Sequence, residues 1–323
     1  MTGRDRFRRI RGTAMGAVLE LLAWFLGGVS WSRAQWLGRI LGRLGWRWTS
    51  RERGRTRRHL ALAWPDRERA WRERIARGCF EHLGMLLTEC LWLSRRDCRA
   101  VEEVTQVRGW EEVERARSTG KPILVLTGHC GNWELLAAVI SCRGLPLTVM
   151  ARRLDDPSMN RRALELRSHF GTETIERGTP GAARKLLKTL RAGGALGMLI
   201  DQDTEVDGVW VPFFGRLAYT PAGAASLALR RDAVVLPFFI ERKAEGDHLV
   251  TVHPPLELPE DCEEATALMT RRIEAQVRRC PEQWVWMHRR WRRRPEDEDQ
   301  PSPEPGAARD EEQRVRNRES ATV

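Results

Sequence analysis

One tyrosine stands against 14 tryptophans in this 323-residue chain, and only Lys121, Lys185, Lys188 and Lys243 among its 55 basic residues are lysine. Nearly all of the positive charge is therefore guanidinium, a planar fork that pairs bidentately with phosphate and carboxylate. The seven cysteines (79, 90, 98, 130, 142, 262 and 280) contain no Cys-x-x-Cys pair and are odd in number. That argues against a disulfide framework and against a zinc site, and they read as small buried residues of a reducing compartment. No internal repeat is visible. A long uncharged apolar run is also missing: the best stretch, Gly12 to Val29, is marginal in length for a membrane span and carries Glu20 near its middle.

Positive charge, in contrast, is plentiful. The formal net charge is +11, although the tail from Pro295 to Val323 holds nine acidic and four basic residues. A cationic body with an acidic end admits nucleic acid, an anionic membrane surface or an acidic carrier protein as partners. The tryptophans suit a membrane interface as readily as a nucleic acid. The tail itself, residues 295–323, is too poor in apolar residues to fold and reads as disordered.

The N-terminus, residues 1–33, is basic up to Arg11 and then apolar. A cleaved signal lacks its small-x-small site, so the segment reads as a membrane-anchoring helix with its Arg-rich end cytoplasmic, or else as a buried amphipathic helix. Residues 34–105 form a helical region packed on the core. Trp36, Leu37, Ile40, Leu41, Leu44 and Trp48 recur at helical spacing, and Trp71 to Leu93 repeats the pattern behind Pro65 and a capping Asp66.

From Val107 strands and helices alternate, so residues 106–294 read as an α/β catalytic domain with a mixed, mostly parallel sheet flanked by helices. Its centre is the stretch from Lys121 to Ile140. Pro-Ile-Leu-Val-Leu-Thr reads as a strand covered on both faces, a polar turn Gly128-His129-Cys130-Gly131-Asn132 follows, and Glu134 opens a helix. His129 thus sits at a strand's carboxyl end, where ligands bind in open α/β sheets.

A neutral imidazole takes a proton from a hydroxyl near neutral pH, and a carboxylate on its other nitrogen fixes the tautomer and stabilises the cation that forms. His129 and Glu134, five apart across the turn, have the residue types for that pair; a histidine that caps the turn is the plainer alternative. Gly128 and Gly131 permit close approach of a substrate, and the N–H groups at the helix start suit an anion or a developing oxyanion. Cys130 is not expected to act with His129, because neighbours on an extended segment point to opposite sides. Asp201 and Asp203 end another apolar strand, where they suit a metal ion, a polar headgroup or a solvated turn. The basic run from Arg289 to Arg294 is interleaved with Trp284, Trp286 and Trp291, which argues against a purely solvated face.

Six motifs fall in one order: Gly-His-Cys-Gly-Asn-Trp-Glu from 128; Ala151-Arg152 with Asp155-Asp156-Pro157; Asp201-Gln202-Asp203; Val211-Pro212-Phe213-Phe214-Gly215; Thr220-Pro221-Ala222; and Pro281 to Arg290. In that order they resemble the late acyltransferases of lipid A biosynthesis, the lauroyl/myristoyl family of the lysophospholipid acyltransferase superfamily. The resemblance implies a glycerolipid acyltransferase-like fold and assigns the family's His-x4-acid motif to His129 and Glu134. It assigns the catalytic arginine to Arg152, with Arg153 as a substitute because Ala151 stands where the family usually has an aromatic residue. Gly131, Asn132, Asp201, Asp203, Phe213, Phe214, Arg289 and Arg290 are expected at the substrates, with Phe213, Phe214 and Trp210 lining an acyl groove. The implied reaction moves a fatty acyl group from acyl carrier protein to a hydroxyl of a phosphorylated lipid A precursor, at the cytoplasmic face of the inner membrane. Neither a metal nor an organic cofactor is implied. The same motifs would serve another acceptor, such as a phosphatidylinositol mannoside or a lysophospholipid. A nonenzymatic basic protein binding membrane or nucleic acid would match the charge but leave the ordered motifs unexplained, so no nucleic-acid partner is expected.

Overall fold

A computed structural model describes residues 16–154, 156–191, 193–293 and 295. Arg294 and the tail from 296, like the basic N-terminal residues, lie outside that range. The sheet has seven strands in the order β1-β9-β8-β2-β5-β3-β4. These are β1 Thr105–Arg108, β2 Ile123–Thr127, β3 Leu147–Ala151, β4 Glu173–Glu176, β5 Ala195–Leu199, β8 Val234–Arg242 and β9 His248–Val252, while β6 Gly208–Phe213 and β7 Arg216–Pro221 form a separate hairpin. Every pairing in the large sheet is parallel except β8 with β9. The expected mixed, mostly parallel α/β architecture is therefore the one observed.

Strand β2 is central and buried at every position. Its alternation divides the core, because successive side chains of a strand point to opposite faces. Ile123 and Val125 face one cluster, with helix α7 (Trp133–Cys142), the end of α4 (Arg69–Leu93) and the start of α2 (Trp31–Trp48). Leu124 and Leu126 face the other, with α3 (Ser50–Ala63), α10 (Gly223–Arg231), α11 (Cys262–Arg279) and the tryptophans of the C-terminal segment. The edge strands β1 and β4 carry one inward apolar residue at most, Val107 and Ile175, which is why the hydrophobic pattern does not announce them.

Residues 16–27 form a helix, α1, which lies on the first cluster through Leu19, Ala23 and Leu26 and exposes Val18, Leu21, Trp24 and Phe25. Its Glu20 pairs with Arg95 and with Arg162 of α8 (Pro157–His169), which accounts for a charge inside an apolar run. No helix among the described residues is long and apolar enough to cross a membrane.

Helices α2 and α4 cross with backbone against backbone. A Cβ on Gly84 would stand 2.1 Å from the carbonyl oxygen of Gly38, and one on Gly42 would stand 2.3 Å from that of Phe80. Backbone cannot yield as a side-chain tip can, so Gly84→Val is expected to lower stability by about 3 kcal/mol, the upper end for overpacking. A thermal midpoint equal to wild type would show that the crossing tolerates a side-chain layer.

Two expectations need correction. Asp66 does not cap α4, which begins three residues later with Glu68 at its N-cap position and no side-chain cap bond. Cys98 and Cys142 form a disulfide between the start of α5 (Cys98–Glu103) and the end of α7. The pairing joins residues 44 apart that only the packing of α5 on α7 brings together, so no spacing motif marks it. Cys79, Cys90, Cys130, Cys262 and Cys280 are free.

Candidate active site

Parallel pairing of β2 with β5 runs Thr127 against Leu199. Two residues further along each strand, the same register brings His129 to Asp201. Asp201 Oδ1 lies 2.8 Å from His129 Nδ1, and Asp201 Oδ2 accepts the backbone N–H of His129 at 2.8 Å and the Trp284 indole N–H at 2.8 Å. Burial penalises the Asp201 charge, but His129 and these donors outweigh that penalty and hold its carboxyl at about 2. An ionised carboxylate only accepts, so Nδ1 carries the hydrogen and Nε2 keeps its lone pair. Nε2 has no hydrogen-bond partner among the described residues, and the His129 side chain is 23% exposed while that of Asp201 is fully buried. Trp133 meets the imidazole edge to face at 5.0 Å.

The turn behind His129 is fixed from two directions. From the C-terminal segment, Gln283 O accepts the Gly131 N–H at 2.8 Å and Trp284 bridges to Cys130. From α4 comes a buried polar network: Glu89 takes both ends of the Arg242 guanidinium at 2.8 Å, the Asn132 amide at 2.9 Å and the Gln35 amide at 2.8 Å. Arg242 also donates to His82 Nδ1 at 2.5 Å, which leaves His82 Nε2 to donate to Gly131 O at 3.2 Å. Burial, and then the Arg242 charge, push the His82 imidazole well below its ordinary range, so it is neutral and can accept from Arg242.

Glu134 is not the partner of His129. Both of its oxygens bind Arg167 of α8, at 2.8 and 2.5 Å, because the first turn of α7 aims this side chain at α8 rather than back over the strand end. Gly131 and Asn132 do not line an open site: a Cβ on Gly131, at φ +61, would stand 2.0 Å from Ile240 O, and Asn132 is fully buried as the N-cap of α7. Gly128 leaves room for Asp201, whose Cγ would lie 3.2 Å from an added Cβ. The N–H groups of His129, Gly131 and Leu135 are all engaged, so none of these three is open to an oxyanion.

Phe213 and Phe214 are buried in an aromatic cluster with Trp284, Trp286, Trp64 and Trp291, instead of lining a groove. Arg290 is fully buried, bonded at 2.5 Å to Tyr219 O and to Thr220 Oγ1 of β7, and stacked over Phe213. Asp203 is buried and holds Arg292 and Arg293 at 3.1 Å. Arg289 is exposed, and so are Arg152 and Arg153, just beyond the carboxyl end of β3. Burial and then the Arg152 charge depress Arg177, beyond the end of the neighbouring strand β4, so that sheet edge is cationic. Burial pushes the Cys130 thiol well above its ordinary range, which leaves it inert as a nucleophile. Among the described residues no group of three or more His, Cys, Asp or Glu side chains is arranged for a metal ion.

A histidine with an open Nε2 is held by a buried carboxylate at the carboxyl edge of a parallel sheet, an arrangement in which the imidazole is able to accept a proton. The comparisons narrow the class: a family model for bacterial lipid A biosynthesis acyltransferases matches residues 13–293, and the chain belongs to that family of acyl-transferring enzymes. It is 28% identical over 290 residues to the lipid A biosynthesis lauroyltransferase of Escherichia coli K12 and 27% identical over 289 residues to that organism's palmitoleoyltransferase, in both cases across 85% of this chain and 92% of the relative. It is 26% identical over 181 residues to a phosphatidylinositol mannoside acyltransferase of Mycolicibacterium smegmatis, across 54% of this chain and 59% of that protein.

Proposed function

We propose that this enzyme transfers a fatty acyl group from acyl carrier protein to a hydroxyl of a lipid A precursor, with His129 as general base and Asp201 as the group that orients it. The observation that carries this reading is the Asp201–His129 contact at 2.8 Å with Nε2 left open. Nε2 takes the hydroxyl proton as the oxygen attacks the thioester carbonyl, and the tetrahedral intermediate collapses with cleavage of the C–S bond. The leaving thiolate recovers the proton from the imidazolium, so the base is regenerated. Arg152, exposed on the same cationic edge, is the group assigned to the oxyanion or to an acceptor phosphate. Glu134 acts at one remove, by tying α7 to α8 through Arg167.

The exposed Val18, Leu21, Trp24 and Phe25 on α1 support attachment in the plane of a bilayer, the inner membrane in this reading, with the catalytic domain on its cytoplasmic side. The similarity to a phosphatidylinositol mannoside acyltransferase favours a second acceptor class for the same chemistry, over a shorter stretch of the chain. Purified enzyme supplied with acyl carrier protein thioester and either acceptor separates the two. The expected product by mass spectrometry is a lipid A precursor heavier by one acyl group. Acylation of the mannoside alone would reassign the acceptor, and thioester consumption with neither would overturn the proposal.

A further inference from the structure

Arg51, Arg55 and Arg58 recur at i, i+4 and i+7 on one side of α3, beside the face that buries Thr56, His59, Leu60 and Ala63. That side abuts the C-terminal segment: Arg55 donates to Met287 O at 3.0 Å, and His59 Nδ1 lies 2.8 Å from Trp286 O. Arg289 of the same segment joins the group. Burial, and then the charges of Arg289, Arg51 and Arg58, depress Arg55, partly offset by Glu52, so four guanidinium groups share one neighbourhood. Arg51, Arg58 and Arg289 are exposed and have no carboxylate within 4.0 Å among the described residues. Arg57, on another side of α3, is by contrast neutralised by Glu73.

We infer that this stripe is the docking surface for the acidic carrier protein that brings the thioester, an inference that rests on the carrier-donor reading above. Two observations select a protein over a bilayer. The stripe has no large exposed apolar side chain within α3, whereas the apolar surface suited to lipid lies on α1 and on α2 at Trp36, Leu41 and Trp48. The stripe is also tied to the segment whose Trp284 bonds Asp201, so a carrier seated on it holds its flexible arm beside the edge that carries His129. Charge complementarity over such a patch raises the association rate and makes it salt-dependent.

The test is the Arg51→Glu/Arg58→Glu double variant of the full chain. It is assayed with acyl carrier protein thioester and with the same acyl chain on pantetheine, which has the thioester without the acidic protein. The expected result is a loss of about tenfold or more in kcat/KM with the carrier, the scale of electrostatic steering. That loss lies in KM, with pantetheine turnover and thermal midpoint unchanged, and rising salt erodes the carrier KM of wild type more than that of the variant. An equal loss with both donors, or none with the carrier, overturns the inference. So does a variant that loses binding to anionic vesicles while its carrier KM stays unchanged, because the stripe then faces the bilayer. A wild-type enzyme that uses the pantetheine thioester but not the carrier removes the donor reading itself and this surface with it.

Discussion

Replacing Asp201 by asparagine is expected to lower kcat by between about 10²- and 10⁴-fold, the range general-base catalysis supplies, with little change in KM. The carboxylate accepts three hydrogen bonds, from Nδ1 and the backbone N–H of His129 and from the Trp284 indole. Asparagine keeps one acceptor oxygen and offers an NH₂ group. With that oxygen claimed by the two N–H donors on Oδ2, the NH₂ faces Nδ1 and forces the hydrogen onto Nε2, where the lone pair is needed. The loss is therefore one of tautomer, in a side chain of nearly unchanged shape. His129→Ala should cost as much, and the double variant no more than either single one, since groups acting as a unit are not additive. A correctly folded Asp201→Asn enzyme with kcat within a few-fold of wild type would mean that another group directs the base.

The second large effect is on stability. Glu89→Gln leaves the Arg242 guanidinium, 6% exposed, without its counter-charge, and removing one partner of a buried pair costs about 3–5 kcal/mol. Burial opposes the Glu89 charge, but Arg242 and the neighbouring donors outweigh it and hold the carboxyl at about 2 against an ordinary 4.5. A folded-state value below the unfolded one stabilises the protein fully above about 4.5, and that contribution disappears as pH falls towards 2. The deficit of the variant should accordingly be largest at neutral pH and narrow between about 4.5 and 2. His248 stands 3.6 Å from Glu89 without a hydrogen bond, and burial lowers it to about 4. An unfolded chain protonates such a histidine near its ordinary 6.5, so acidification below that already weakens both proteins. Denaturation at pH 7 and pH 3.5 reads the difference; a deficit that does not change with pH would remove Glu89 from this role.

His129 was legible because an apolar strand ending in a polar, glycine-spaced turn is a local signal. Its carboxylate was not, since Asp201 is 72 residues away and reaches His129 only because β2 and β5 are neighbours in register. Two apolar strands, each running out into polar residues at its carboxyl end, were the available clue. Glu134 attracted the assignment by nearness in sequence, while the direction of a helix's first turn decided its partner. Phe213, Phe214 and Arg290 share a different difficulty: composition identifies an aromatic and a cationic residue but does not distinguish a ligand-facing surface from a cluster in which arginine stacks on phenylalanine and ties two segments together. Glu89 and Arg242 are similarly invisible, one on a helix and one ending a strand, 153 residues apart. The mostly parallel sheet, by contrast, followed from strands and helices that alternate at their own periods, and only the short edge strands escaped.

The glycine-lined crossing of α2 and α4 has a mechanical consequence. At Gly38, Gly42 and Gly84 no side chain separates the two backbones, so α2, which exposes Trp36, Leu41 and Trp48, bears directly on α4, which anchors the turn bearing His129. The separation between the imidazole and the exposed face of α2 is thereby set, at this crossing, by backbone contact rather than by the packing of flexible groups.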